Sequence, residues 1–295
     1  MADGDSPVVQ GRRLAKELRQ LRTDTGLTVQ EVASRLECSP GKISRIETAS
    51  VGARIGDVRD LLDIYDVDGE RRERILQLVR LSHRRSSWWH EYAGALPQEA
   101  MRFIGMEDGA AAIDDYSGNL IPGLLQDDGY SHALISTARD RTTTQLNDAL
   151  TVERRTSLRR RRQNLLTRKG APTVRFVLNE AALAVRFGGA ENMARQLDRL
   201  LTVGGQPNVT IRVLPLTTEA FAAAGGMFTI FRFADQAVDP PIVYYDTRTR
   251  GHFCDIPAEV NVYEADFDEV LSKALSPRKS RDVIKHWAAQ HRDAA

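Results

Sequence analysis

The chain has only two cysteines in 295 residues, Cys38 and Cys254. They lie too far apart for a disulfide framework or a cysteine metal site, and so sparse a use of cysteine predicts a reducing cytoplasm. No run of ~20 apolar residues occurs, so no membrane-spanning helix is expected. The opening MADGDSPVVQG has no basic stretch ahead of an apolar core; it reads as a short frayed lead-in and not as a secretory leader. Catalytic signatures are missing as well. There is no G-x-S-x-G elbow, no H-E-x-x-H, no Cys-x-x-Cys and no glycine loop ahead of Lys-Ser/Thr. The histidines (His83, His90, His132, His252, His286, His291) are scattered. His286 and His291 are five apart, a poor spacing for sharing a metal on one helix face. The expectation is a protein with no catalytic residue, cofactor or metal, and therefore not an enzyme. Charge of one sign is lacking too: 41 Lys and Arg face 40 Asp and Glu, a net +1. A polyanionic partner has to be sought in the distribution of charge and not in its sum.

What is present stands out against that background. Leu27 to Glu47 reads LTVQEVASRLECSPGKISRIE. Thr28 is a good N-cap and Glu31, three residues on, completes a capping box. Val32 and Leu36 give the first short helix one apolar stripe, and Ala33 lets a neighbour approach closely. Ser39 caps a second helix with Pro40 at its first position, where a missing N–H costs nothing. That helix turns Ile43 and Ile46 inward and leaves Lys42, Ser44 and Arg45 on the other side. A short helix with polar residues at its leading end suits a major groove. From Gln10 to Ser50 eight basic residues face five acidic ones, a modest local excess.

Gly11 to Tyr65 resembles a Cro/C1-type (XRE family) DNA-binding domain. Gly11–Gly26 supplies the first helix, with Leu14, Leu18 and Leu21 inward and Arg12, Lys16, Arg19 and Arg22 outward. A connection, TASVGAR, and a fourth helix near Asp57–Tyr65 follow the reading pair. The resemblance implies double-stranded DNA as partner, base contacts from Lys42, Ser44 and Arg45, and phosphate contacts from Thr28, Gln30 and Ser39. It also implies a homodimer on two half-sites.

Length suits about two domains. Asp68 to Arg85 continues as a fifth helix, giving an all-α domain over 11–85 and a mixed α+β domain over 86–295, α+β overall. Trp88 and Trp89 mark the change of composition, either as packing at a seam or as an aromatic ligand wall. Beyond them, helices are predicted over Met101–Tyr116, Asp127–Arg139, Gln145–Arg168, Asn179–Phe187, Asn192–Val203, Val262–Ala274 and Pro277–His291. Four strands are expected at Thr173–Leu178, NVTIRVLP, MFTIFRF and PIVYY. The helix carrying Arg154 to Arg168 either grips phosphates or an acidic partner, or pairs with acidic segments such as Glu107-Asp108 and Asp127-Asp128.

The two-part layout is similar to a group of actinobacterial regulators, WhiJ-like or antitoxin-like. IPGLLQDDGY, RRRRQNLL, FVLNEAAL, NVTIRVLP, GGMFTIFRF and ALSPRKSRDVI carry that similarity. It implies a C-terminal domain that senses a signal, through an effector site the residues do not identify or through a small neighbouring-gene protein, acidic if it is to match the arginines. Two functions follow: a sequence-specific regulator with a sensing domain, or an antitoxin-like protein that sequesters that small partner and autoregulates.

Overall fold

The computed structural model describes residues 6–83, 88–92, 96–139, 149–219, 226–247 and 250–295. The chain divides into two compact units: Met1–His90 with Ala237–Asp239, and Glu91–Gln236 with Pro240–Ala295.

The first unit is all-helical: α1 (Pro7–Asp24), α2 (Val29–Arg35), α3 (Pro40–Glu47), α4 (Ile55–Ile64) and α5 (Gly69–Ser82). The first helix starts earlier than expected, because Pro7 opens it and Val9 is fully buried; Pro7–Gln10 is helix, and residues 1–5 of the expected lead-in lie outside the described ones. Leu14, Leu18 and Leu21 meet Val32, Ile43, Ile46, Val58, Leu61, Leu62, Ile75 and Val79 in one core. Two of the arginines expected outward are not. Arg12 is buried, and Arg22 reaches down to Glu47 at the end of α3.

Four of these helices end in the same way. The N–H of Leu27, Cys38, Ser50 and Val67 each donates to the carbonyl five residues back, at 3.2, 2.9, 2.9 and 2.9 Å. The residue before each donor is left-handed: Gly26 (φ 70°), Glu37 (φ 50°), Ala49 (φ 51°) and Asp66 (φ 55°). This is the Schellman turn, in which glycine is the unstrained occupant. An L-residue there costs ~1–2 kcal/mol, partly offset by the backbone entropy glycine loses on folding. Ala49→Gly is therefore expected to stabilise the protein by about 0.5–1 kcal/mol, seen as a higher urea midpoint. A lower midpoint would show that the turn stores no strain.

The second unit is built on a six-stranded sheet in the order β3-β2-β1-β4-β5-β6. Its strands are β1 (Ala112–Ser117), β2 (Thr173–Asn179), β3 (Val209–Leu214), β4 (Phe228–Arg232), β5 (Ile242–Asp246) and β6 (Gly251–Cys254). β1, β2 and β3 run parallel; β4 pairs antiparallel with β1, β5 antiparallel with β4, and β6 antiparallel with β5. The four expected strands are present, with two more. AIDDYS, expected as helix, is the central strand β1; the helix before it, α6 (Gln98–Gly109), stops short. Two adjacent aspartates hide the strand, since they break any apolar alternation. GHFC, too short and polar to register as a strand, is the edge strand β6.

Helices α7 (Asp128–Arg139), α8 (Ala149–Arg162), α9 (Ala181–Ala184), α10 (Ala190–Val203), α11 (Pro257–Lys273) and α12 (Pro277–Asp293) complete the unit. The expected helix over Gln145–Arg168 is shorter: it turns into a 3-10 segment at Gln163–Leu166, and residues 145–148 lie outside the described ones. Likewise only Ala181–Ala184 of the helix expected over Asn179–Phe187 is α-helical. Phe267 and Val270 of α11 pack on Tyr116, Val177, Phe228, Ile230 and Val243. The edge strand β3 is covered: Val213 N–H donates to Ser280 Oγ (2.9 Å) and its carbonyl accepts from Leu275 N (2.9 Å). Capping an edge in this way removes a template for unwanted pairing.

Candidate functional site

Two places bring functional side chains together. The first is the outer side of α2 and α3. The capping box forms as expected: Glu31 N donates to Thr28 Oγ1 (3.2 Å), and Thr28 N donates to Glu31 Oε2 (2.8 Å). The Thr28 hydroxyl also donates to that carboxylate (2.8 Å); the backbone N–H foremost, and then the hydroxyl, hold the Glu31 pKa below its ordinary value. Gln30 and Ser39 are exposed. Ser39 sits at the N-cap of α3, but its side chain makes no capping bond.

Ser44 and Arg45 are exposed while Ile43 and Ile46 are buried. Arg45 folds back along its own helix: a Cβ at Gly41 would stand 3.5 Å from its Nη1. Helical side chains lean toward the N-terminus, so the guanidinium lies at the leading tip of α3. Lys42 is placed differently. Its Nζ pairs with Asp57 Oδ1 of α4 at 2.7 Å, a partner fifteen residues away that no local pattern reveals. The far end of α3 is fixed by Glu47, which accepts Arg22 Nε and Nη2 at 2.7 and 3.0 Å; Arg22 Nη1 also holds the Leu27 carbonyl (2.9 Å). That pair holds the Arg22 pKa above its ordinary value, against the effect of burial.

The second place is a cavity of about 370 Å³ in the second unit, between the sheet and α6, α7 and α8. Phe103, Leu134, Ile135, Leu158, Phe228 and Tyr244 give it apolar walls. Phe103 packs edge-on to Phe231 and Tyr244, with ring centroids 5.2 and 4.6 Å apart. Neither Trp88 nor Trp89 lines it; Trp89 is buried with Trp88 edge-on to it at 5.7 Å.

The arginine-rich helix supplies the charged wall of the cavity. Three of the arginines between Arg154 and Arg168 pair with the acidic segments expected for them. Arg160 meets Asp128, Arg162 forks Glu107 through Nε and Nη2 at 2.8 Å each, and Arg168 meets Asp108 at 2.6 Å. Arg161 pairs with Glu91 (2.6 Å). Arg155, Arg159 and Arg162, at i, i+4 and i+7, line the cavity. Arg159 Nη1 donates to Gln126 Oε1 (2.6 Å), an amide held in turn by Ser131 Oγ (3.0 Å) and by its own bond to the Ile121 carbonyl (2.6 Å). Burial, reinforced by the positive charges of Arg162 and Arg155, lowers the Arg159 pKa to about 10. It remains protonated at neutral pH.

Opposite, Asp115 projects from β1 and accepts Ser117 Oγ (3.0 Å) and Thr229 Oγ1 (2.9 Å). Sequence reasoning missed Asp115 because its strand was read as helix, and it reached Arg155 and Arg159 only as members of a charged run. Asp246, at the end of β5, accepts the Tyr244 hydroxyl. Among the described residues no group of His, Cys, Asp and Glu is arranged to hold a metal, and no helix is long and apolar enough to cross a membrane.

Residues 100–286, well over half of the chain, match the model of a family described as a domain of unknown function (DUF5753). The chain belongs to that family. Residues 13–75 match a helix-turn-helix domain, which covers α2, α3 and their neighbours and suggests DNA binding. No curated protein and no solved structure matches the chain.

Within the DUF5753 domain, burial raises the Asp115 pKa from 3.8 to about 6, although the Thr229 and Ser117 hydroxyls pull the other way. The folded state thus favours the neutral acid. That contribution to stability is complete below pH ~4 and is lost as pH rises through about 6, because the unfolded chain then binds fewer protons than the folded one. Asp115→Asn is expected to remove this slope. In urea unfolding across pH 4–7, the wild-type midpoint should fall relative to the variant between pH ~4 and ~6. Parallel curves would mean that Asp115 ionises without cost.

Proposed function

We propose that this protein is a sequence-specific, double-stranded-DNA-binding transcription regulator of the cytoplasm, acting as a homodimer, whose DUF5753 domain senses a signal and carries out no catalysis. The observation that carries the reading is the geometry of α3. Its inner side is locked by Ile43, Ile46 and the Arg22–Glu47 pair, while Ser44 and Arg45 stand exposed with the Arg45 guanidinium at the leading tip. A rigid helix presenting a fork donor at its tip is the arrangement that reads guanine in the major groove. Ser44 and Arg45 are the base readers, joined by Lys42 once it exchanges Asp57 for DNA. Gln30, Ser39 and Thr28 hold phosphates. The similarity to Cro/C1-type readers and to the WhiJ-like group supports the same assignment.

Arg45→Ala should weaken binding to the specific operator by ~1–3 kcal/mol while changing non-specific binding far less, measured by competition titration against random duplex. Equal losses on both would make Arg45 a backbone contact.

Dimerisation follows from size. One small reader covers too little surface for tight specific recognition, and paired readers sit on half-sites ~34 Å apart. Sedimentation should give two chains per operator; one chain both free and bound would refute the pairing. A small acidic protein from a neighbouring gene is the alternative, antitoxin-like signal. Arg160, Arg161, Arg162 and Arg168, which would have attracted it, have carboxylate partners inside the chain. That favours a signal received in the cavity.

A further inference from the structure

The DUF5753 cavity has a charge left over. Arg162 on its wall is neutralised by Glu107, as Arg22 is by Glu47 and as Arg175 and Arg232 are by Asp114. Arg159 differs from these. Its side chain donates to a neutral amide, and among the described residues no carboxylate pairs with it. The charged side chains that act on it are Arg162 and Arg155, both of its own sign. A partly buried guanidinium without a counter-ion costs several kcal/mol and is a poor way to build a core. It is, however, a ready site for an anion that arrives from outside. The two carboxylates at the cavity are engaged elsewhere, Asp115 by two hydroxyls and Asp246 by Tyr244.

The remaining walls set the rest of the ligand. Phe103, Leu134, Leu158 and Tyr244 offer an apolar and aromatic surface, and about 370 Å³ holds a small molecule. This is the usual make-up of a small-molecule site: mostly apolar, with few polar groups fixing one end. A guanidinium fork matches the two oxygens of a carboxylate. One unneutralised arginine with a second beside it suits a monoanion better than a dianion.

We propose that the cavity binds a small amphipathic acid, its carboxylate forked by Arg159 beside Arg155 and its apolar body against Phe103, Leu134, Leu158 and Tyr244. Gln126 is then a positioning residue, because it holds the Arg159 side chain in the orientation the acid requires. The inference rests on the proposed regulator only in making this acid the signal. The binding itself is independent of DNA.

The experiment uses the full chain without DNA and two fluorescent probes with the same aromatic body. One is 1-anilinonaphthalene-8-sulfonate, a monoanion; the other is N-phenyl-1-naphthylamine, which is neutral. The sulfonate probe should bind saturably at one site per chain. Decanoate should displace it, whereas decanol and inorganic phosphate at the same concentration should not. Arg159→Gln should weaken the sulfonate probe at least tenfold and change the neutral probe less than twofold, with circular dichroism and urea midpoint no worse than wild type. Absence of saturable sulfonate binding to the native chain, displacement by decanol equal to that by decanoate, or unchanged sulfonate affinity in a folded Arg159→Gln would each overturn the proposal. If that variant fails to fold, the comparison of decanoate with decanol on the wild type decides. Operator binding is titrated separately, so failure of the acid site leaves the DNA-reading assignment standing, and failure of DNA binding leaves the acid site standing.

Discussion

Arginine–carboxylate pairing inside the protein is the constraint on which both units rest. In the second, Asp114 sits at the middle of the central strand, 2% exposed, and takes both Arg175 of β2 (2.5 and 2.8 Å) and Arg232 of β4. Arg232 continues to Glu264 on α11 (2.8 Å), and Arg175 lies over the Phe267 ring at 5.0 Å. The carboxylate thereby joins three strands and a helix, and a one-residue slip of β1 would turn it to the other side of the sheet and strand both arginines. Removing one member of such a pair costs ~3–5 kcal/mol, because the other charge remains buried. In the first unit Glu47 does the same between α1 and α3. A chain with nearly equal numbers of acids and bases is thus built on internal neutralisation, and for that reason Arg159, with no carboxylate partner among the described residues, is informative.

Adjacent residues of β1 serve opposite ends. Side chains alternate across a strand, so Asp114 enters the network under α11 while Asp115 enters the cavity. One lock fixes the register, and that register turns the neighbouring carboxylate into the cavity. The same economy appears on α8. Arg162 is held by Glu107, and helical spacing then carries Arg159 and Arg155 onto the same wall.

The outer side of α2 and α3 follows a related logic. Lys42 is held by Asp57 and Thr28 by Glu31, so phosphate or base contacts by these two must displace an internal acid. Each exchange swaps one charged hydrogen bond for another, with little net gain. In the proposed reading this would keep the surface from gripping every duplex by charge alone, since non-specific affinity grows with the number of phosphates neutralised. Among the described residues no acid is paired with Arg45, and in the proposed reading sequence preference is expected to concentrate there.

The reader was legible from residue order because its determinants are local. Thr28 and Glu31 are three apart, Pro40 follows Ser39, and Ile43 and Ile46 share one face; short spacing alone dictates caps, turn and buried side. Strands β2, β3, β4 and β5 were legible from their apolar runs. β1 was not, because Asp114 and Asp115 are tolerable in a central strand only once Arg175, Arg232, Ser117 and Thr229 come to meet them from 2 to 118 residues away. The cavity was hidden for the same reason. An arginine run reads alike whether its charges face water, acids or an empty space. Long-range packing assigned Arg162 to Glu107 and left Arg159 to the cavity, because a charge is neutralised by what folds beside it and not by what precedes it in the chain.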